Sequence, residues 1–222
     1  EKKKFWSYMI IKNLKKRLLT SLFLLFFVYL IFKSNFVLIY SLLILSVFSI
    51  LEFLNISKSI FKNITYYIFN FFFIIFISFF SLFFFLFSLG QLKIVLLIIL
   101  LGCIASDIGG FVFGNLFKGP KLTKISPKKT ISGAIGSFFS CCIVVMSLVF
   151  YITKNFNLNI FFISIIISFS CQLGDLFFSY LKRKAKIKDY SNLLPGHGGV
   201  IDRLDGIFFG VPIGLMAFLF LY

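Results

Sequence analysis

The sequence predicts an all-α polytopic membrane protein of about seven transmembrane helices (range six to eight). Three observations carry this: 60% of the 222 residues are hydrophobic, mean hydropathy is +1.04, and the apolar residues come in long runs separated by basic stretches. Such runs match the roughly 20 residues that a bilayer core asks of a helix. One integral domain is expected, held together by helix packing in lipid rather than by a water-excluded soluble core. No internal repeat is visible, so the inverted-repeat transporter architecture gains no support.

The first element, residues 1–17, carries Lys2, Lys3, Lys4, Lys12, Lys15, Lys16 and Arg17 around Trp6 and Tyr8, as an interfacial anchor would. A cleavable signal peptide is the rival reading. Against it, no small-x-small site follows residues 18–32 and another apolar span begins almost at once. The absence of an initiator methionine points to residues upstream of Glu1.

Seven spans then follow, at about 18–32, 36–54, 66–90, 94–116, 131–153, 158–181 and 206–222. The first and last are short, and flanking Lys and Arg can snorkel to compensate. The third is long enough to tilt or break. Residues 18–93 form the N-terminal helices, and residues 94–222 carry the chemistry. The Phe runs (Phe71-Phe72-Phe73, Phe83-Phe84-Phe85) read as interchangeable lipid-facing residues. Cys103, Cys141, Cys142 and Cys171 lie in apolar segments without zinc-site spacing and read as small packing residues.

Charge sets the orientation. With the N-terminus cytoplasmic, 20 of the 23 cations fall inside, and only Lys33, Lys93 and Lys154 fall outside. That is the bias of the positive-inside rule, and one helix more or fewer in the middle would erase it.

Seven acids exist, Glu1, Glu52 and five aspartates. All five aspartates lie near the cytoplasmic ends of the last spans. Asp107 and Asp175 sit inside apolar spans, about 14 and 9 Å deep at 1.5 Å per residue; an intramembrane carboxylate is a functional candidate by default. Asp202 and Asp205, three apart, share a helix face. Structural ion pairing with nearby Lys or Arg is the plain alternative for each. Convergence of Asp175, Asp202, Asp205 and Asp107 would instead make a hard-oxygen site, suited to Mg²⁺ (with room for a second cation) and substrate phosphates.

The densest stretch is residues 179–205, SYLKRKAKIKDYSNLLPGHGGVIDRLD. It holds Ser179, then Lys182-Arg183, four free positions and Lys188-Asp189. A Pro-Gly-His-Gly-Gly turn follows, and then Asp202-Arg203, one free residue and Asp205. This spacing resembles the signature of phosphatidate cytidylyltransferases (CDP-diacylglycerol synthases). Residues 106–133 resemble the same family at Asp107, Gly110, Gly114 and Ser126-Pro127-Lys128-Lys129-Thr130. The family usually has an acid two residues after that threonine, where this chain has Ser132. Ser126-Pro127 reads as a helix start, placing Lys128 and Lys129 at a helix N-terminus that favours phosphate.

The resemblance implies transfer of a cytidylyl group from CTP to phosphatidate, giving CDP-diacylglycerol and pyrophosphate at a cytoplasmic site in a bacterial inner membrane. It also implies a homodimer. Membrane lipids are the expected surroundings, and no nucleic-acid partner is expected. Asp175, Asp202 and Asp205 are expected at the reacting centre with Lys182, Arg183 and Arg203. Ser126, Lys128, Lys129, Thr130, Lys188, Asp189, Gly196, His197, Gly198 and Gly199 are expected around the substrates. The glycine N–H groups there would face an anion. His197 reads better as a phosphate or loop hydrogen bonder than as a base. The rivals are an ion-coupled transporter relaying through Asp107 and Asp175, and a related enzyme acting on an isoprenoid or other lipid.

Overall fold

The computed structural model describes residues 30, 33–90, 92–123, 126, 129–191, 193 and 198–222. Among them are six long helices: α1 (Asn35–Ile60), α2 (Asn63–Ser88), α3 (Leu92–Phe117), α4 (Ile131–Thr153), α5 (Leu158–Lys184) and α6 (Ile201–Leu221). All six are long and apolar enough to cross a membrane. The architecture is all-helical and polytopic, within the expected range of six to eight. The span expected at 18–32 lies almost wholly outside the described residues.

Boundaries differ from the sequence reading in three places. α1 runs six residues beyond 54, α2 is one unbroken helix of 26 residues, and α6 begins at Ile201 rather than 206. Hydropathy marks where a helix is apolar, whereas backbone hydrogen bonding carries it on through polar residues such as Asp202 and Arg203. The starts have local causes. Thr130 Oγ1 accepts the Gly133 N–H at 3.1 Å to cap α4, and Asn157 Oδ1 accepts the Asn159 N–H at 3.0 Å to cap α5. Ser126-Pro127 therefore does not open α4. The chain before it pairs back on itself instead, with Leu122 N–H donating to Lys129 O at 2.8 Å and Ile131 N–H to Pro120 O at 2.9 Å.

Successive helices alternate in direction. The α1–α2 turn and the two long connections, 118–130 and 185–200, thus share one end of the bundle, which is the end predicted to be cytoplasmic. The connections at the other end are short; Lys154 closes α4 in the left-handed conformation.

α3 packs along α4, and α5 along α6, while α3 also touches α5 and α6. Small residues make the first contact possible: a Cβ at Gly109 would lie 2.2 Å from Ser140 Oγ and 2.6 Å from the Gly136 carbonyl. The glycines around Asp107 serve close approach, and α3 does not break there. Cysteines play a similar part. All four are free, and Cys171 and Cys103 fill the space left by Gly206 and Gly210.

The Phe runs are not interchangeable. Phe71 and Phe72 face outward, but Phe73 is buried and stacks on Phe53 with centroids 3.8 Å apart. Phe73, Phe178, Phe208 and Tyr190 continue as an edge-to-face and tilted cluster beneath the 185–200 connection.

Replacing Gly109 with Ala forces α3 off α4, and overpacking of this kind costs about 1–3 kcal/mol. A lower thermal unfolding temperature in detergent is expected for Gly109→Ala, against no change for Ile108→Ala, whose side chain faces outward.

Candidate active site

One cavity of about 340 Å³ is lined by Asp107, Ser126, Lys129 and Thr130 of the first motif, by Asp175 of α5 and, from the second motif, by Ser179. α3 delivers Asp107, the 118–130 connection delivers Ser126 and Lys129, and α5 delivers Asp175 and Ser179. Lys129 Nζ forms an ion pair with Asp175 Oδ2, joining residues 46 apart in sequence. That pair ties the basic connection of the first motif to the helix that leads into the second. Lys129 thus reaches a carboxylate instead of standing at the helix start.

A second pair joins α5 to α6. Lys182 Nζ donates to Asp202 Oδ1 at 2.8 Å, with side-chain exposures of 13% and 7%. Asp202 Oδ2 accepts the N–H groups of Tyr190 at 2.8 Å and Gly199 at 2.9 Å. One carboxylate therefore gathers α5, the 185–200 connection and α6. The Gly199 N–H is given to Asp202 and does not face a bound anion. Gly198, at φ +83°, has the left-handed backbone that glycine supplies at least strain. Asp189 lies beside it: a Cβ at Gly198 would come within 3.7 Å of Asp189 Cβ.

Asp205 is buried, its Oδ1 accepting the Gly206 N–H at 2.9 Å. Asp107 opens toward the cavity, where its Oδ1 accepts the Cys171 thiol at 3.5 Å. Asp107, Asp175 and Asp205 lie near enough for their charges to act on one another. For Asp107 and Asp205 the donors named are neutral, whereas Asp175 has Lys129. Their chemistry, hard carboxylate oxygens, fits a magnesium ion. Among the described residues no three His, Cys, Asp or Glu side chains are gathered closely enough to hold a metal by themselves.

Arg183, Lys188, Asp189 and Arg203 are exposed at this end of the bundle, and neither they nor Lys182, Asp202 and Asp205, expected at the reacting centre, line the cavity. Lys128, Gly196 and His197 lie outside the described residues. Ser132, where the resemblance expects an acid, accepts the Gly119 N–H at 3.2 Å and shares a hydrogen bond with Thr130 Oγ1 at 3.0 Å. It fastens the start of the basic connection to α4.

A family model described as the cytidylyltransferase family matches residues 3–221. The chain belongs to that family. Among similar proteins named phosphatidate cytidylyltransferase, that of Rickettsia bellii (strain RML369-C) is 45% identical over 127 residues, 53% of this chain and 55% of the relative. That of Helicobacter pylori (strain ATCC 700392 / 26695) is 40% identical over 132 residues, 59% and 48% respectively. That of Staphylococcus haemolyticus (strain JCSC1435) is 43% identical over 112 residues, 49% and 42%. The matches span about half the length of these curated relatives.

In this family member several further residues belong to the site. Gln172 lines the cavity and donates to Ala134 O and Ser168 Oγ, both at 3.3 Å. Tyr190 donates its hydroxyl to Phe178 O at 3.2 Å. Burial, then the charges of Asp202, Asp205 and Glu52, push its phenol above the ordinary value, so it stays a donor. Glu52 reaches the start of α6 from α1. A lone acid in the 36–54 span was the signal for Glu52. Nothing in composition marked Gln172 or Tyr190.

Breaking the Lys182–Asp202 pair from one side leaves a nearly buried carboxylate without its cation. Lys182→Met is expected to destabilise the protein by about 3 kcal/mol, and adding Asp202→Asn should recover part of that loss in chemical unfolding measurements. A neutral single variant would remove the pair from the fold's supports.

Proposed function

We propose that this chain transfers a cytidylyl group from CTP to phosphatidate, yielding CDP-diacylglycerol and pyrophosphate. The observation that carries the reading is the cavity where Lys129 and Asp107 of the first motif meet Asp175, on the helix that leads through Ser179 into the second motif. The names of the similar proteins point to the same activity. A site at the bundle end rich in Lys and Arg suits one water-soluble anion and one membrane lipid, and supports a reaction at the cytoplasmic face of a bacterial membrane.

The phosphate monoester of phosphatidate has a second pKa of about 6, so its oxygen arrives ionised. That oxygen attacks the α-phosphorus of CTP. A new phosphorus–oxygen bond forms, the bond from the α-phosphorus to the bridging oxygen breaks, and its electron pair leaves with pyrophosphate. No proton has to be removed, so no general base is required, and His197 needs no such role. Catalysis then rests on alignment and charge screening. Lys129 and Lys182 are positioned to exchange their carboxylate partners for phosphate oxygens when substrates enter, and Arg183, Lys188 and Arg203 supply the positive field outside the cavity. Ser126, Thr130 and Ser179 offer hydroxyls.

One or two carboxylates drawn from Asp107, Asp175 and Asp205 would hold Mg²⁺, completed by nucleotide phosphates and water, and Asp202, expected among the ligands, instead orients the loop and Lys182. When bound, that ion would offset charge on the nucleotide phosphates and on departing pyrophosphate.

Purified protein given α-labelled CTP, Mg²⁺ and phosphatidate should release pyrophosphate and form a labelled lipid. Diacylglycerol or an isoprenoid phosphate in place of phosphatidate should give neither; product with those alone would overturn the substrate assignment. Asp175→Asn and Asp205→Asn should each lower kcat by about 100-fold or more, the scale seen when a charge-stabilising group is removed. Wild-type rates in both would remove the metal assignment.

A further inference from the structure

The first turn of α6 carries Asp202 and Asp205, yet the sequence supplies it no local cap. Its N-cap position is Val200, whose side chain makes no capping hydrogen bond. The free N–H groups of a helix start need partners when buried. They find one in Glu52, a buried residue of α1, a helix outside both motifs. One Glu52 oxygen accepts the Val200 N–H at 2.9 Å and the Ser191 hydroxyl at 2.5 Å; the other accepts the Ile201 N–H at 2.9 Å.

The approach is as close as a backbone allows. A Cβ at Gly199 would lie 2.7 and 2.8 Å from the two Glu52 oxygens. Ser191 on one flank and Gly199, Val200 and Ile201 on the other are thus drawn to a single carboxylate. Asp202 takes the neighbouring N–H groups, of Tyr190 and Gly199. The two carboxylates divide the start of α6 between them, Glu52 from outside the motifs and Asp202 from within.

We propose that Glu52 is a positioning residue for the transfer reaction: by capping α6 from α1 it sets the height and rotation of the turn that presents Asp202 and Asp205. Its negative charge also faces the positive end of the α6 dipole, which strengthens the hold. The kinetic consequence rests on the proposed cytidylyl transfer; the structural one does not. Gln in place of Glu52 keeps the size but turns an NH₂ group toward a backbone donor, losing a charge-assisted bond.

The test uses the full chain in detergent, with hydrogen exchange read on amides 199–201 and on α4 as an internal reference. Glu52→Gln should speed exchange at 199–201 by about tenfold or more, as expected for loss of one charged hydrogen bond, with α4 unchanged. In the labelled-CTP assay kcat should fall by about tenfold while KM for CTP stays within about twofold. Ser191→Ala should shift both readouts the same way by less, and it carries the test if Glu52→Gln does not fold. Gly199→Ala should lower kcat in the wild-type background and cost little more in the Glu52→Ala background.

Unchanged or uniformly raised exchange overturns the proposal. So does lower thermal stability with an intact kcat in the folded fraction, which is the mark of a merely structural cap. If the wild-type protein transfers no cytidylyl group, the functional reading falls, and the exchange result alone decides whether Glu52 sets the turn.

Discussion

A carboxylate placed among apolar helices has to find a cation or a row of N–H donors, and that requirement organises the motif-bearing end of this molecule. Asp175 takes Lys129, Asp202 takes Lys182 and two backbone amides, and Glu52 takes the start of α6. Each partner comes from a different stretch of chain, so satisfying the charge also assembles the helices. The apolar surfaces of α1–α6 would pack in many registers, because lipid contributes little preference among them. The polar contacts, together with the small-residue seam of α3 and α4, choose one.

The same economy accounts for the cavity. Asp107 and Asp205 are left with neutral donors while Asp175 holds Lys129 at the cavity wall. For the proposed transfer, groups whose present partners can be exchanged are an advantage. Lys129 is only partly buried, so releasing Asp175 exposes it to incoming anions without a large desolvation penalty. Lys182 is more enclosed and moves at greater cost, which suits a residue that also holds the loop.

Much of the fold could be read from the chain because membrane helices are written in composition. Spans at 131–153 and 158–181 emerged at nearly the observed positions, and the separation of long basic connections from short ones followed from charge. The errors have a common cause. Hydropathy placed the start of α6 at 206, since Asp202 and Arg203 are polar, although Glu52 caps the helix earlier. Pro127 suggested a helix start that Thr130 provides instead. Phe73 and Phe71 are identical in sequence and opposite in environment.

Of the candidate site, the sequence by itself determined which residues carry charge, how the two motifs are spaced, and that both lie at one end of the bundle, because alternation of spans and a count of cations are properties of the linear chain. Tertiary structure alone decided which carboxylate meets which cation, that Asp202 binds loop amides while Asp205 turns inward, and that Glu52, 148 positions before Val200, completes the start of the last helix. The reason is geometric. Partners 20, 46 or 148 positions apart are brought within hydrogen-bonding distance only when the helices have packed, and no local pattern records that meeting.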